Sequence, residues 1–258
     1  MTESQRNRIN KLIDEGYEFE LGEYISKGFG LFQKSAGNFI GFAFVAGMII
    51  VAASFIPIIG SLASNLILTP ALMVGGYLGA YTLHRDQPLE FGIFFKGFDY
   101  IGQLALAALV TNLIVFACFI PLAAVLYMGG ALNFIWELYL NPLAEPEIPN
   151  FPLWSLLLLA PVLYFSIAYS WSYHFIAFYK MEFWDAMEMS RKIIGKKWGM
   201  FFLFLIVLGL LAGLGFLLFF VGILVAFPVL MCASYAAFAD VTGLPEEEED
   251  DLVDHLVN

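Results

Sequence analysis

Four long stretches of this chain carry no Asp, Glu, Lys or Arg: residues 35–84, 100–136, 148–179 and 198–239. About 20 apolar residues suffice for a helix to cross some 30 Å of hydrocarbon. The first and last stretches are roughly twice that length, so each is read as a hairpin with an uncharged turn. Pro57 and Gly60 mark the first turn, and Phe220-Val221-Gly222 is the expected position of the last. The two middle stretches hold one helix each. The expected spans are 39–56, 62–83, 101–127, 153–179, 199–220 and 223–240. The rest of the composition agrees, with 60% hydrophobic and only 14% charged residues. Such a chain would leave too much apolar surface in water, which excludes a soluble enzyme, a disordered protein, a nucleic-acid binder and a disulfide-rich domain.

Six crossings place all twelve Lys and Arg residues on one side: Arg6, Arg8, Lys11, Lys27, Lys34, Arg85, Lys96, Lys180, Arg191, Lys192, Lys196 and Lys197. The other side keeps only Glu137, Glu145 and Glu147. Lys and Arg set topology, so both termini are expected to face the cytoplasm, in a multi-pass protein of an inner (cytoplasmic) membrane. A polar N-terminal segment precedes the first apolar stretch, which is not the pattern of a signal peptide. Part of the formal charge of -11 is local, because Glu246 to Asp251 is unbroken acid and Asp254 follows. Residues 242–258 read as a self-repelling, disordered tail, either solvated or a docking segment for a basic partner. Cys118 and Cys232 fall inside expected helices and read as small packing residues.

The second helix of each hairpin repeats a proline: Pro70-Ala71-Leu72-Met73, Pro161-Val162-Leu163-Tyr164 and Pro228-Val229-Leu230-Met231. Tyr77 and Tyr235 stand at the same offset from theirs. Proline bends a membrane helix, and three bends at matching positions suggest three related hairpins, 17–88, 89–180 and 181–241, within a membrane domain of residues 1–241. An amphipathic segment precedes each. Leu21, Tyr24, Ile25, Gly28, Leu31 and Phe32 share one face before the first. Phe91, Phe94, Phe95 and Phe98 follow the i, i+3, i+4, i+7 pattern before the second. Phe183, Ala186, Met187, Ser190 and Ile194 make a stripe before the third. Helices of this kind lie in the cytoplasmic interface or brace the bundle from below. Gly37/Gly41, Gly75/Gly79 and Gly209/Gly213 are spaced for close helix packing. In the 129–152 loop, Phe134, Trp136, Leu138 and Tyr139 suit an interfacial perch, and Pro142, Pro146, Pro149 and Pro152 keep the chain extended.

Chemistry has few places to reside. No expected helix carries Asp, Glu, Lys or Arg away from its ends, and a metal site would need several converging ligands where only three His exist. No catalytic, cofactor-binding or metal-binding residue is assigned, and no cofactor is expected. The candidate polar patch is Tyr169, Tyr173 and His174. The candidate lipid or partner contact is Arg191, Lys192, Lys196, Lys197 and Trp198, since clustered cations at a helix C-terminus suit anionic headgroups. The mitochondrial carrier plan also has three hairpins, but the charged residues that follow its helix prolines are missing after Pro57 and Pro121.

The stretch Phe183-Trp184-Asp185-Ala186-Met187-Glu188-Met189-Ser190-Arg191-Lys192-Ile193-Ile194 with Trp198 resembles a motif of bacterial six-helix membrane proteins. These are similar to the membrane domain attached to some glycerophosphodiester phosphodiesterases. Ala186, Met187, Ser190, Ile194 and Trp198 fit the motif, and Pro161 with residues 169–175 fits the helix before it. Phe19-Glu20-Leu21-Gly22-Glu23-Tyr24-Ile25 resembles stand-alone members from Bacteroidetes-type bacteria. The likeness runs over most of residues 17–241 and implies a fold and a membrane, without a phosphodiesterase domain and without a reaction. The expectation is therefore an all-α, six-span membrane module with a structural or regulatory role, meeting the lipid bilayer, anionic lipids and no nucleic acid. A carrier or lipid-handling transporter is the first alternative and a membrane-embedded enzyme the second.

Overall fold

The computed structural model describes residues 3–141, 152–217 and 221–244, all helical apart from turns and short connections. Phe220 of the expected last turn, the prolines Pro142, Pro146 and Pro149, Glu145 and Glu147, and residues 245–258 of the expected tail lie outside the described residues; Val221 and Gly222 are helical, and Thr242 and Leu244, expected to open a disordered tail, are buried instead. Among the described residues ten helices follow in order: α1 (Glu3–Glu15), α2 (Leu21–Lys34), α3 (Ala36–Ser54), α4 (Ile59–His84), α5 (Phe91–Met128), α6 (Ala131–Leu140), α7 (Leu153–Tyr179), α8 (Phe183–Lys196), α9 (Trp198–Leu217) and α10 (Val221–Thr242). Among the described residues six are long and apolar enough to cross a membrane: α3, α4, α5, α7, α9 and α10. They match the six expected spans within a few residues, except that α5 begins ten residues early. The chain is a multi-pass membrane protein. Large apolar side chains such as Phe44, Met48, Leu210 and Leu214 point outward, as hydrocarbon allows and water does not.

The contacts divide the chain into two compact units, residues 1–109 with 168–258, and residues 110–167. In the first unit α10 is the hub, packed by α2, α3, α4 and α9. The apolar stripe of α2 turns onto α10: Tyr24, Gly28, Leu31 and Phe32 are buried. Gly28 makes the crossing possible, since a Cβ there would stand 2.5 Å from the Ala233 Cα. The N-terminal segment is also docked. Ile9 is buried, Tyr17 donates to the Ile193 carbonyl at 2.9 Å, and Phe19 packs on Tyr24, Phe201 and Phe204.

The expected segment ahead of the third span is continuous with α5 and is wound as 3-10 helix from Phe91 to Tyr100. Three residues per turn bring Phe94 and Gly97 onto one buried face, while Phe91, a turn earlier, is exposed. Gly97, rather than Phe98, therefore joins the buried side. Phe94 has no exposed surface and stacks on Phe42 at 4.4 Å, while Gly75 and Gly79 of α4 make room for it. Of the three expected glycine pairs, Gly75/Gly79 is the one in tight contact. Gly37, Gly209 and Gly213 have open space where a Cβ would be, and Gly41 meets only the Phe91 ring. At the α9–α10 end, Gly215 and Gly222 pack against one another instead. Between α3 and α4 the chain turns at residues 55–58, where Pro57 and Gly60 mark a turn, through a γ-turn with Ile58 at φ +63° and Ile59 N–H bonded to the Pro57 carbonyl at 2.6 Å.

The second unit is exposed throughout much of its length. α6 buries none of its residues, and Trp136 and Tyr139 stack on one another at its surface. Ser155 closes the start of α7 by bonding the Pro152 carbonyl through both its N–H and its hydroxyl.

Candidate functional site

Three places in the first unit can bind or react, and the sequence pointed to two of them. The first is the predicted basic patch on α8. Arg191 meets Glu188 in a two-pronged bond at 2.8 Å, and Lys192 lies 3.4 Å from the same carboxylate. Arg191 is foremost in holding the Glu188 carboxyl below its usual range. The i, i+3 and i, i+4 spacing on α8 thus engages two of the four cations of the patch with Glu188. Lys196 and Lys197 are exposed, and Trp198 stacks on Phe202 at 5.3 Å.

The second is the polar patch of α7, which the structure opens into two parts. The helix breaks at residues 169–171, and Ser190 of α8 bridges the break: its hydroxyl accepts the Trp171 N–H at 3.1 Å and donates to the Ala168 carbonyl at 2.7 Å. Beyond the break His174 is fully buried. It stacks on Tyr77 at 3.9 Å and 20°, packs on Phe238, and lies 3.5 Å from the Ser234 hydroxyl through Nε2. Tyr169 and Tyr173 are half-buried. A cavity of 290 Å³ adjoins it, presenting Tyr77, Ser170 and Ser234 in an otherwise apolar wall of α9 and α10 residues. His174 and Tyr173 do not line it. No group of three His, Cys, Asp or Glu side chains placed to hold a metal ion occurs among the described residues.

The third was not visible in the sequence. A cleft of 480 Å³ lies where α1, α2, α4 and α10 meet, lined by Arg8, Lys27, Lys34, His84 and Asp240 among others. Lys27 bonds Glu23 at 2.7 Å and Asp240 at 3.1 Å, and Tyr24 donates to the other oxygen of Asp240 at 2.9 Å. Lys34 bonds the Asp86 carboxylate at 2.5 Å and the Leu83 carbonyl at 3.1 Å. A hydrogen bond with Glu20, and after it Lys27, holds the Glu23 carboxyl low; Lys34 holds the Asp86 carboxyl low, and Glu23 in turn raises the Lys27 ammonium. His84 meets the Tyr235 hydroxyl through Nδ1 at 3.1 Å. Arg8 lies over Gly243, which ends α10 at φ +69°. A guanidinium there complements the carbonyl end of the helix. The five residues are separated by up to 232 positions in sequence, which is why no local pattern announced them.

The cleft occupies one flank of α2. On the flank formed by Gly22, Ile25 and Phe29, a groove of 650 Å³ opens against Leu211, Leu214 and Val225. One helix thus carries charge on one side and hydrocarbon surface on the other. Comparison of the chain with family models, with curated proteins and with solved structures finds no match.

Proposed function

We propose that this chain is a non-catalytic membrane module that holds anionic lipid at the cytoplasmic face of an inner membrane. The observation that carries the reading is the placing of α2: a cleft lined by Arg8, Lys27 and Lys34 on one flank, an apolar groove on the other. A helix partitioned in this way matches the boundary between headgroups and acyl chains. The distribution of Lys and Arg supports both termini being cytoplasmic. The three prolines Pro70, Pro161 and Pro228 support a plan of three hairpins, each led by an amphipathic segment, and this plan agrees with the resemblance to the six-helix bacterial membrane domains. The test is lipid retention. Protein purified in a neutral detergent from membranes of mixed phospholipids should carry phosphatidylglycerol or cardiolipin several-fold enriched over phosphatidylethanolamine, read by native mass spectrometry. Bound lipid in the same ratio as the bulk membrane contradicts the reading.

A second reading, a lipid-handling carrier, is favoured by the 290 Å³ cavity beside Tyr77, Ser170 and Ser234. Its few hydroxyls suit an apolar guest with one polar end. Exchange of a fluorescent lipid between leaflets in reconstituted vesicles would support the carrier over the module.

A further inference from the structure

We infer that the 290 Å³ cavity between α4, α7, α9 and α10 binds an uncharged, membrane-soluble molecule whose head is a flat ring bearing a carbonyl, the chemistry of a lipophilic quinone or ring ketone. The inference rests on the second reading above and names its guest. Access lies along α9. Leu205 and Gly209 line the cavity and are also exposed, so it reaches the surface between them. Both stand near the middle of α9, which crosses hydrocarbon, so the mouth admits a guest from the bilayer. A Cβ at Gly209 would meet nothing within 4 Å; this glycine packs on no neighbour and leaves the mouth open. The polar groups lie deeper. Tyr77 and Ser234 stand about 10–12 Å from the C-terminal ends of α4 and α10, at 1.5 Å per residue. Among the described residues no Asp, Glu, Lys or Arg lines the cavity. A charge at that depth without a partner is costly, so the guest is uncharged. Five rings, Tyr77, Trp171, Phe201, Phe204 and Phe227, make much of the wall. A flat head gains stacked or edge-on contacts with them. The volume is small for a ligand pocket, which suits a head whose tail stays in the bilayer.

The hydrogen-bond donors follow from His174. Among the described residues nothing bonds its buried Nδ1. A buried lone pair is tolerated more readily than a buried N–H, so the ring proton sits on Nε2, 3.5 Å from the Ser234 hydroxyl. Ser234 accepts there and keeps its own proton to donate into the cavity that it lines. Tyr77, stacked on His174 at 3.9 Å, presents a second hydroxyl. A carbonyl oxygen, which accepts and has no proton to place, complements this pair.

The full chain in phosphatidylcholine vesicles is illuminated with decylbenzophenone, a ring ketone whose excited carbonyl couples to neighbouring C–H bonds. Mass spectrometry of the peptides maps the label. It should fall on Met73, Tyr77 or Met231, which line the cavity. Gly209→Phe puts a ring in the mouth and should lose most of this label. Gly213→Phe, one turn along, where a Cβ also meets nothing within 4 Å, should label like the parent. Decylbenzoquinone should compete about three- to tenfold better than decylbenzene, which has ring and tail but no oxygen. Ser234→Ala should remove most of that difference, and Ser234→Thr should keep it. Equal competition by decylbenzene in the parent overturns the carbonyl assignment. Label spread over exposed apolar faces with no excess at the cavity, or full label in Gly209→Phe, overturns the site. Lipid exchange between leaflets separates the site from the carrier reading. Exchange that survives Gly209→Phe leaves a carrier and overturns the site; cavity label without exchange supports the site and ends the carrier.

Discussion

Gly75→Val will not yield a monodisperse protein. A Cβ at residue 75 would fall on the Phe94 carbonyl, and one at Gly97 would fall on the Ala71 carbonyl of the facing helix. Backbone thus meets backbone on both sides of the α4–α5 crossing. Neither contact is with the end of a flexible side chain that can swing away. Overpacking in an ordinary core costs about 1–3 kcal/mol, and more where the neighbours cannot yield. Here α4 and α5 must separate, and Phe94 would lose its stack on Phe42 and its place between Gly75 and Gly79. Apolar burial supplies little drive between helices in a membrane, so packing contacts of this kind hold the bundle together. Size-exclusion chromatography of a fluorescent fusion should show aggregate for Gly75→Val and a sharp peak for Gly47→Val, because Gly47 is exposed and a Cβ there meets nothing within 4 Å. A sharp peak for Gly75→Val would refute the crossing.

Ser190→Ala should be the most damaging single-atom deletion. The residue has no exposed surface, and its hydroxyl is the partner of both groups freed by the break in α7, the Trp171 N–H and the Ala168 carbonyl. Leaving a buried backbone group without a partner costs about 1–3 kcal/mol, and here there are two. The melting temperature in detergent should fall by several degrees or more. Ser190→Thr, which keeps the hydroxyl, should recover part of the loss. Ser172→Ala removes only a local bond to the Tyr169 carbonyl and should cost less. Equal melting of Ser190→Ala and the parent would mean that the hydroxyl does not bridge the break.

Charge-free length made the spans legible, because the cost of a charge in hydrocarbon is written directly into the sequence. The first turn was legible for the related reason that proline and glycine disrupt helix. Local periodicity misled at Phe91–Tyr100. A 3.6-residue count puts Phe98 on the buried face, whereas 3-10 winding against the glycines of α4 puts Gly97 there. Ser190 was visible as part of a familiar pattern, but its task depends on a break in another helix. The α8 cations stood out because they are contiguous, yet Glu188 on the same helix engages Arg191 and Lys192. The cleft was hidden for the opposite reason: Arg8, Lys27, Lys34, His84 and Asp240 come together only when α2 crosses α10 on Gly28. Polar residues within spans gave little away, since Ser54, Asn65 and Thr82 bond carbonyls of their own helices.

All the basic residues, and hence α2 and its cleft, are proposed to face the cytoplasm. Accessibility of single cysteines in a background with Cys118 and Cys232 replaced by Ala tests it most directly. A membrane-impermeant maleimide added to right-side-out vesicles should label a cysteine at Leu140 and spare cysteines at Glu15, Lys96 and Lys197. Inside-out vesicles should give the reverse. Labelling at Lys96 or Lys197 from the outside, or at Leu140 and Lys197 from the same side, would contradict the topology and with it the placing of the cleft.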